Sequence, residues 1–148
     1  MPGAKERELS IPNDTKYLAT VREAVADIIE HSDFPVDDLN RIVLAVDEAV
    51  ANIIEHGYSN SAQSEADIEV KLYADNERFE VSILDFGQSF DPNEMNTPDM
   101  AEHVRQGKKS GLGIYLMRKI MDQIDYRFEG TGRNELIMTK YAKPGSGA

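Results

Sequence analysis

The spacing of the apolar residues changes along the chain from the period of a helix to that of a strand. Between Leu18 and Ile53 they recur at intervals of three and four, which predicts two amphipathic helices separated by a break at Pro35. From Ile68 to Leu72 they alternate with charged residues, which predicts a strand with one buried face. Helices that are partly segregated from hairpin-forming strands in this way are typical of the α+β class.

The same patterns give approximate limits for the elements. Asn13 or Asp14 is expected to cap the first helix, which ends near His31. The second helix opens at Asp37 and stops at Gly57. A third helix follows the SGLG segment at 110–113 and ends at about 122, and strands are expected near 8–11, 66–72, 79–85, 124–129 and 135–141. The expected architecture is a two-layer sandwich, in which helices cover one face of a mostly antiparallel, mixed β-sheet.

The composition limits what such a domain can do. Its 148 residues suffice for one domain with its own core, and the chain contains no cysteine. Disulfides, thiolate metal sites and a cysteine nucleophile are therefore excluded. The sequence contains neither the apolar core of a signal peptide nor a run of about 18 apolar residues, so we expect a cytoplasmic protein that makes no membrane contact.

The chain is acidic, with a formal net charge of −11, but this charge is unevenly distributed. Residues 1–107 contain 8 basic and 23 acidic residues, whereas residues 108–148 contain 8 basic and 4 acidic residues. The net charge argues against direct binding of nucleic acid through a phosphate-neutralising surface. The basic excess that begins at Lys108 is compatible with local binding of one polyphosphate, and chance scatter of surface charge is the alternative explanation.

A polar stripe runs along the second predicted helix. Glu48, Asn52 and His56 are four residues apart and therefore lie on one side of it. Such a stripe is often only a solvated face. Here, however, a carboxylate that can accept a proton lies one turn from an amide oxygen, a ligand type that Mg²⁺ prefers. We assign no chemistry to His56.

A connection of more than 20 residues follows Asp85 and ends at Lys109. A loop of this length is unusual in so small a domain, and we interpret it as a lid. At its end, Lys108, Lys109 and Ser110 precede a Gly-Leu-Gly motif that opens a helix. Such a motif is weak evidence alone, but the helix N-terminus and two ammonium groups would together favour a phosphate chain.

Three segments, in this order, resemble the N box and two glycine boxes of a known ATP-binding fold. They are LAVDEAVANIIEHGY, DFGQSFDP and KKSGLGIYLMRKIMD. This Bergerat fold is shared by gyrase, MutL, the heat-shock chaperones and histidine kinases, and within that group the chain is most similar to bacterial anti-sigma factors that are also serine-protein kinases. The resemblance implies an ATP-binding kinase domain at residues 8–141, followed by a flexible tail at residues 142–148.

The resemblance also implies a role for each candidate residue. Glu48 would be the general base that takes the proton from a serine hydroxyl, and Asn52 would hold the Mg²⁺ that bridges the nucleotide phosphates. Asp85 would accept a hydrogen bond from the adenine amino group, and Gly87 would let the base approach closely. The residues expected at the phosphates and in the closing lid are Lys108, Lys109, Ser110, Gly111, Leu112 and Gly113.

By the same resemblance, we expect a Mg-ATP-dependent serine/threonine kinase that acts as an anti-sigma factor in a partner-switching system. Its partners would be a sigma factor and an anti-anti-sigma (STAS-domain) protein that it phosphorylates, and it would form a homodimer. The chain lacks the long helical hairpin on which histidine kinases carry their acceptor histidine, so the acceptor is expected on another protein. The alternative is a non-catalytic module that senses nucleotide and sequesters a partner.

Overall fold

The computed structural model describes residues 4–57, 67–86, 110–128 and 133–142. In chain order the elements are β1 (Lys5–Ile11), α1 (Leu18–His31), α2 (Leu39–Gly57), β2 (Ile68–Ala74), β3 (Arg78–Asp85), α3 (Ser110–Ile120), β4 (Gln123–Phe128) and β5 (Asn134–Tyr141). Within these residues the five strands form one sheet in the order β1-β2-β3-β5-β4, and every neighbouring pair is antiparallel. The predicted α+β class is confirmed, and the described sheet is antiparallel throughout rather than mixed.

Local side-chain contacts mark both ends of α1. The Asp14 carboxylate accepts a hydrogen bond of 3.0 Å from the Lys16 backbone N–H and caps the 3-10 turn that leads into the helix. At the other end, the Ser32 hydroxyl donates to the carbonyl of Ile29 at 3.0 Å. It also accepts from the Phe34 N–H at 3.1 Å, so the chain leaves the helix just before Pro35. These contacts stand in for the hydrogen bonds that the helix ends lack.

A tight turn sets the register of the central hairpin. One oxygen of the Asp75 carboxylate accepts hydrogen bonds from the N–H groups of Glu77 and Arg78, at 2.8 and 2.9 Å. The Asp75 N–H donates to the Arg78 carbonyl at 3.0 Å, which closes the turn between β2 and β3. Because side chains alternate along a strand, this register directs Phe79 and every second residue after it towards the helices.

The core lies between the three helices and one face of the sheet. In β2 the predicted alternation is confirmed, since Ile68, Val70 and Leu72 are buried while Glu69 and Lys71 are exposed. The helices contribute the apolar stripes that the sequence predicts; on α1 the buried residues are Val21, Ala24, Val25, Ile28 and Ile29. The opposite face of the sheet carries charged and polar side chains.

The limits of some elements differ from those expected. The third helix spans Ser110–Ile120 and therefore includes the glycine motif that we expected to precede it. The helix therefore begins earlier than predicted, and Gly113 lies within it, in close contact with α2. Strand β1 begins at Lys5, earlier than expected, because backbone pairing with β2 extends beyond the apolar residues. The predicted lid and most of the predicted tail lie outside the described residues. None of the described helices has the length and apolar character that a membrane crossing requires.

Phe79 is fully buried at the start of β3, and Phe79→Ala is expected to lower the free energy of unfolding by about 3 to 5 kcal/mol, because it leaves a cavity in the core. Urea unfolding measures the change. Val36→Ala is the control, since Val36 is 58% exposed and its truncation should cost less than about 0.5 kcal/mol. Equal effects of the two substitutions would contradict this assignment of the core.

Candidate active site

The centre of the candidate site is a close contact between α2 and α3. A Cβ atom built on Gly113 of α3 would lie 2.6 Å from Glu48 Oε2 and 2.8 Å from Asn52 Nδ2, both on α2. Either distance is shorter than a carbon atom tolerates, so any larger residue at position 113 would require the side chains of Glu48 and Asn52 to move. The contact brings together three of the residues that the sequence singled out, from segments more than 60 positions apart in the chain.

Asn52 is the most informative of these residues. It is 3% exposed, and its Nδ2 has no hydrogen-bond partner among the described residues. A buried donor without a partner costs about 1 to 3 kcal/mol, so such atoms are rare and often mark a ligand site. The amide fits a phosphorylated ligand that carries a hard cation, because its N–H could donate to a phosphate oxygen and its carbonyl oxygen is a ligand type that Mg²⁺ prefers.

Glu48 lies one turn before Asn52 and is half-buried. Burial raises the pKa of its carboxyl group, and the negative charges of Asp47 and Glu55 raise it further. A carboxylate with a raised pKa is a stronger proton acceptor than an ordinary surface glutamate. The position of Glu48 beside Gly113 and its raised pKa both fit a general base.

An ion pair holds the acidic neighbour of Glu48. Arg22 Nη1 on α1 lies 2.7 Å from Asp47 Oδ1 on α2. This contact ties the first helix to the turn of α2 that carries the candidate base, and it partly offsets the charge of Asp47. This pair was not predicted from the sequence. The only local signal was the acidic doublet Asp47-Glu48, which does not reveal a partner 25 residues away.

Asp85, which the resemblance implies as the acceptor for the nucleobase, lies at the end of β3. It is 4% exposed and lies on the helix-facing side of the sheet, two residues after the buried Ile83. Asn134 Nδ2, on the neighbouring strand β5, donates a hydrogen bond of 3.2 Å to Asp85 Oδ1. A buried carboxylate is therefore present where the sequence predicts an acceptor for a nucleobase. Asn134 was not among the predicted residues.

The other predicted residues are described in part or not at all. Ser110, Gly111 and Leu112 lie in the first turn of α3, and His56 lies near the end of α2. Gly87, Lys108 and Lys109 lie outside the described residues. Among the described residues, no group of three or more histidine, cysteine, aspartate or glutamate side chains is placed to hold a metal ion.

Residues 11–140 match the family model of the histidine kinase-like ATPase domain. The chain belongs to this family. The serine-protein kinase RsbW of Bacillus cereus strain AH187 is 33% identical to it over 139 residues, covering 90% of this chain and 83% of the relative. RsbW of Bacillus velezensis is 30% identical over 138 residues, covering 90% and 84%. The resemblance to anti-sigma serine-protein kinases is thus confirmed.

A solved structure gives independent support for the fold. The structure of the RsbU and RsbW domains of Rv1364c from Mycobacterium tuberculosis superimposes with a TM-score of 0.66 and 17% sequence identity. The match covers 96% of this chain but 34% of that longer one. At this identity the likeness establishes the two-layer architecture and not the chemistry of the site.

Gly113→Ala is expected to preserve the fold but to displace the side chains of Glu48 and Asn52. The new methyl group would overlap only the far ends of these two side chains, which can rotate away at small cost. We expect the free energy of unfolding to change by less than about 1 kcal/mol, and nucleotide binding to fall by at least tenfold, on the order of the loss of one charge-assisted hydrogen bond. Urea unfolding and equilibrium nucleotide binding measure the two effects. Unchanged nucleotide affinity in a folded variant would argue against a site at this helix contact.

Glu48→Gln is expected to stabilise the fold at neutral pH. Because the folded pKa of Glu48 lies above the unfolded one, the native state binds the extra proton between the two values. Stability of the parent protein therefore falls as pH rises through that interval, whereas glutamine does not titrate. The Tm of Glu48→Gln should equal that of the parent protein at pH values below the interval and exceed it above. Glu30→Gln, on the exposed side of α1, is the control. A variant less stable than the parent at pH 7.5 would contradict the pKa shift.

Proposed function

We propose that the protein is a Mg-ATP-dependent serine/threonine kinase that phosphorylates an anti-anti-sigma (STAS-domain) protein and acts as an anti-sigma factor. The observation that carries this proposal is the contact of Gly113 with Glu48 and Asn52. It places a proton acceptor and a buried amide, whose Nδ2 has no partner in the part of the chain that the structure describes, beside the N-terminal part of α3. Membership of the family that includes the RsbW serine-protein kinases supports the same assignment.

In the proposed reaction, the hydroxyl oxygen of the acceptor forms a bond to the γ-phosphorus of ATP as the bond from that phosphorus to the β–γ bridging oxygen breaks. The hydroxyl proton passes to the carboxylate of Glu48, and ADP leaves. Phosphoryl transfer of this kind depends mainly on positioning and charge neutralisation. Mg²⁺, when bound with the nucleotide, supplies charge neutralisation at the phosphates, and the Asn52 amide oxygen is the group that would hold it.

The remaining residues would bind and orient the nucleotide. Asp85 would accept the hydrogen bond from the adenine amino group, and Gly87 would let the base approach. In the proposed lid, Lys108 and Lys109 add positive charge at the phosphates. The other residues proposed to bind the phosphates are Ser110, Gly111, Leu112 and Gly113. The first turn of α3 suits this role, because its backbone N–H groups and the helix dipole both favour an anion.

Partner switching is part of the proposal. Once the anti-anti-sigma protein is phosphorylated, it no longer competes with the sigma factor for binding to the kinase. The kinase then binds the sigma factor and inhibits it. The RsbW relatives support a role in such a system, and the resemblance to anti-sigma factors supports a homodimer. Because a sigma factor acts on RNA polymerase, the proposed place of action is the cytoplasm.

The proposal predicts that Glu48→Gln binds Mg-ATP with an affinity within about threefold of the parent protein but transfers phosphate at least about 100-fold more slowly. The assay uses γ-labelled ATP and the STAS-domain protein encoded nearest to this gene. Glu30→Gln is the matched control and should retain both activities. Label on a serine or threonine of the partner, lost in Glu48→Gln alone, is the expected result.

Other outcomes separate the alternatives. A stable complex with the partner, formed only with nucleotide and without transfer of label, would replace the kinase by a nucleotide-sensing binding module. Unchanged transfer by Glu48→Gln would remove Glu48 from the role of base. If Asp85→Asn bound ATP as tightly as the parent protein, the proposed nucleotide site would be wrong.

A further inference from the structure

Two buried polar side chains meet across β3 and β5. Asp85 and Asn134 are direct partners in the antiparallel register, and they are 4% and 1% exposed. Asn134 Nδ2 donates to Asp85 Oδ1 at 3.2 Å. The pair continues the helix-facing row formed by Ile83 and Leu136, at the end where the hydrophobic core stops.

Strand pairing does not depend on this hydrogen bond. The backbone register between β3 and β5 runs over eight residue pairs, from Arg78 to Asp85 on β3. On the opposite face, the Ser82 hydroxyl also joins the two strands by donating to Glu135 Oε2 at 2.7 Å. Burying a carboxylate and an amide costs free energy. This pair is therefore better explained by its effect on the orientation of Asp85 than by a contribution to strand pairing.

The amide restricts the orientation of the carboxylate. The torsion that turns the carboxylate plane of an aspartate has a broad minimum, so the side chain alone does not fix where its oxygens point. A donor held on the neighbouring strand fixes the position of Oδ1, and the geometry of the planar group then fixes the direction of the second oxygen. Asn134 is itself buried in a regular strand, so the donor is held rigidly.

We propose that Asn134 is a positioning residue for the nucleotide site, and that through Asp85 it makes this site discriminate between 6-amino and 6-oxo purines. This inference rests on the proposed function, in which Asp85 receives the nucleobase. A carboxylate only accepts hydrogen bonds, so it attracts the N–H of a 6-amino group and repels the carbonyl oxygen of a 6-oxo group. The difference in affinity between the two purines depends on how closely the carboxylate oxygen is aligned with the group at position 6.

The test compares ATP with inosine triphosphate, which carries a 6-oxo group in place of the 6-amino group. Equilibrium binding of both is measured for the parent protein, Asn134→Leu, Asn134→Ala and the control Ser82→Ala. Leucine keeps the branched shape of asparagine, although it is larger, and lacks the donor. Asn134→Ala is the second variant, for the case that Asn134→Leu does not fold. Ser82→Ala deletes the other side-chain hydrogen bond between the same strands, on the opposite face.

We expect the parent protein to prefer ATP. Asn134→Leu should lower the affinity for ATP about tenfold while leaving that for inosine triphosphate within about twofold, so that the preference falls about tenfold. The loss should appear in the affinity for ATP, with the transfer rate at saturating ATP affected far less. Ser82→Ala should retain the preference of the parent protein.

Two results would overturn the inference. If both position-134 variants weaken ATP and inosine triphosphate equally, Asn134 has only a structural role. If both retain the full preference for ATP, Asn134 does not position Asp85. A parent protein that binds neither nucleotide would instead contradict the proposed function itself, and the inference would fall with it.

Discussion

The approach of α3 to α2 at Gly113 is the constraint on which the candidate site depends. Because Gly113 has no Cβ, the backbone of α3 at this position lies directly against the side chains of Glu48 and Asn52. The same contact requires Asn52 to be buried, and its Nδ2 is left without a partner among the described residues. In a purely structural interface such an atom would be replaced by an apolar group of similar size, at little cost and with some gain. Its presence is the physical reason to interpret this helix pair as a binding site.

The sheet makes the other half of the site possible. Over most of β2 and β3, buried apolar side chains alternate with more exposed ones, and the turn at Asp75 fixes which residues of β3 face the helices. The alternation places Asp85 on the buried side, where the row of apolar side chains gives way to the pair with Asn134. A shift of one residue in this register would move the carboxylate to the opposite face. Under the proposed function, the nucleotide would thus be bound by two regular elements, a helix pair and a strand end.

Much of this arrangement could be predicted from the sequence, because hydrophobic periodicity is a local signal. The period change near residue 57 predicted the α+β class, and the spacing of Glu48 and Asn52 predicted their common side of α2. What could not be predicted depends on packing. Whether a glycine opens a loop or permits a close helix contact depends on the facing helix, so the start of α3 was misplaced. Asn134 and the pair of Arg22 with Asp47 are long-range partners, and their neighbours in sequence give no sign of them.

The electrostatics of the site involve two opposing requirements. Negative charge from Asp47 and Glu55 raises the pKa of Glu48 and makes it a better base, but the same charge repels the phosphates of an incoming nucleotide. Arg22 on α1 reduces this repulsion only in part, because its ion pair is with Asp47 and not with Glu48 or Glu55. Cations must therefore come from elsewhere, and the sequence supplies them in its basic C-terminal part, which begins with Lys108 and Lys109. Under the proposed function, the acidic residues of α2 keep the pKa of Glu48 raised. The positive charge at the phosphates would come from the cation bound to the nucleotide and from Lys108 and Lys109. Under that proposal, such a division would let a chain with a net charge of −11 act on a polyanion.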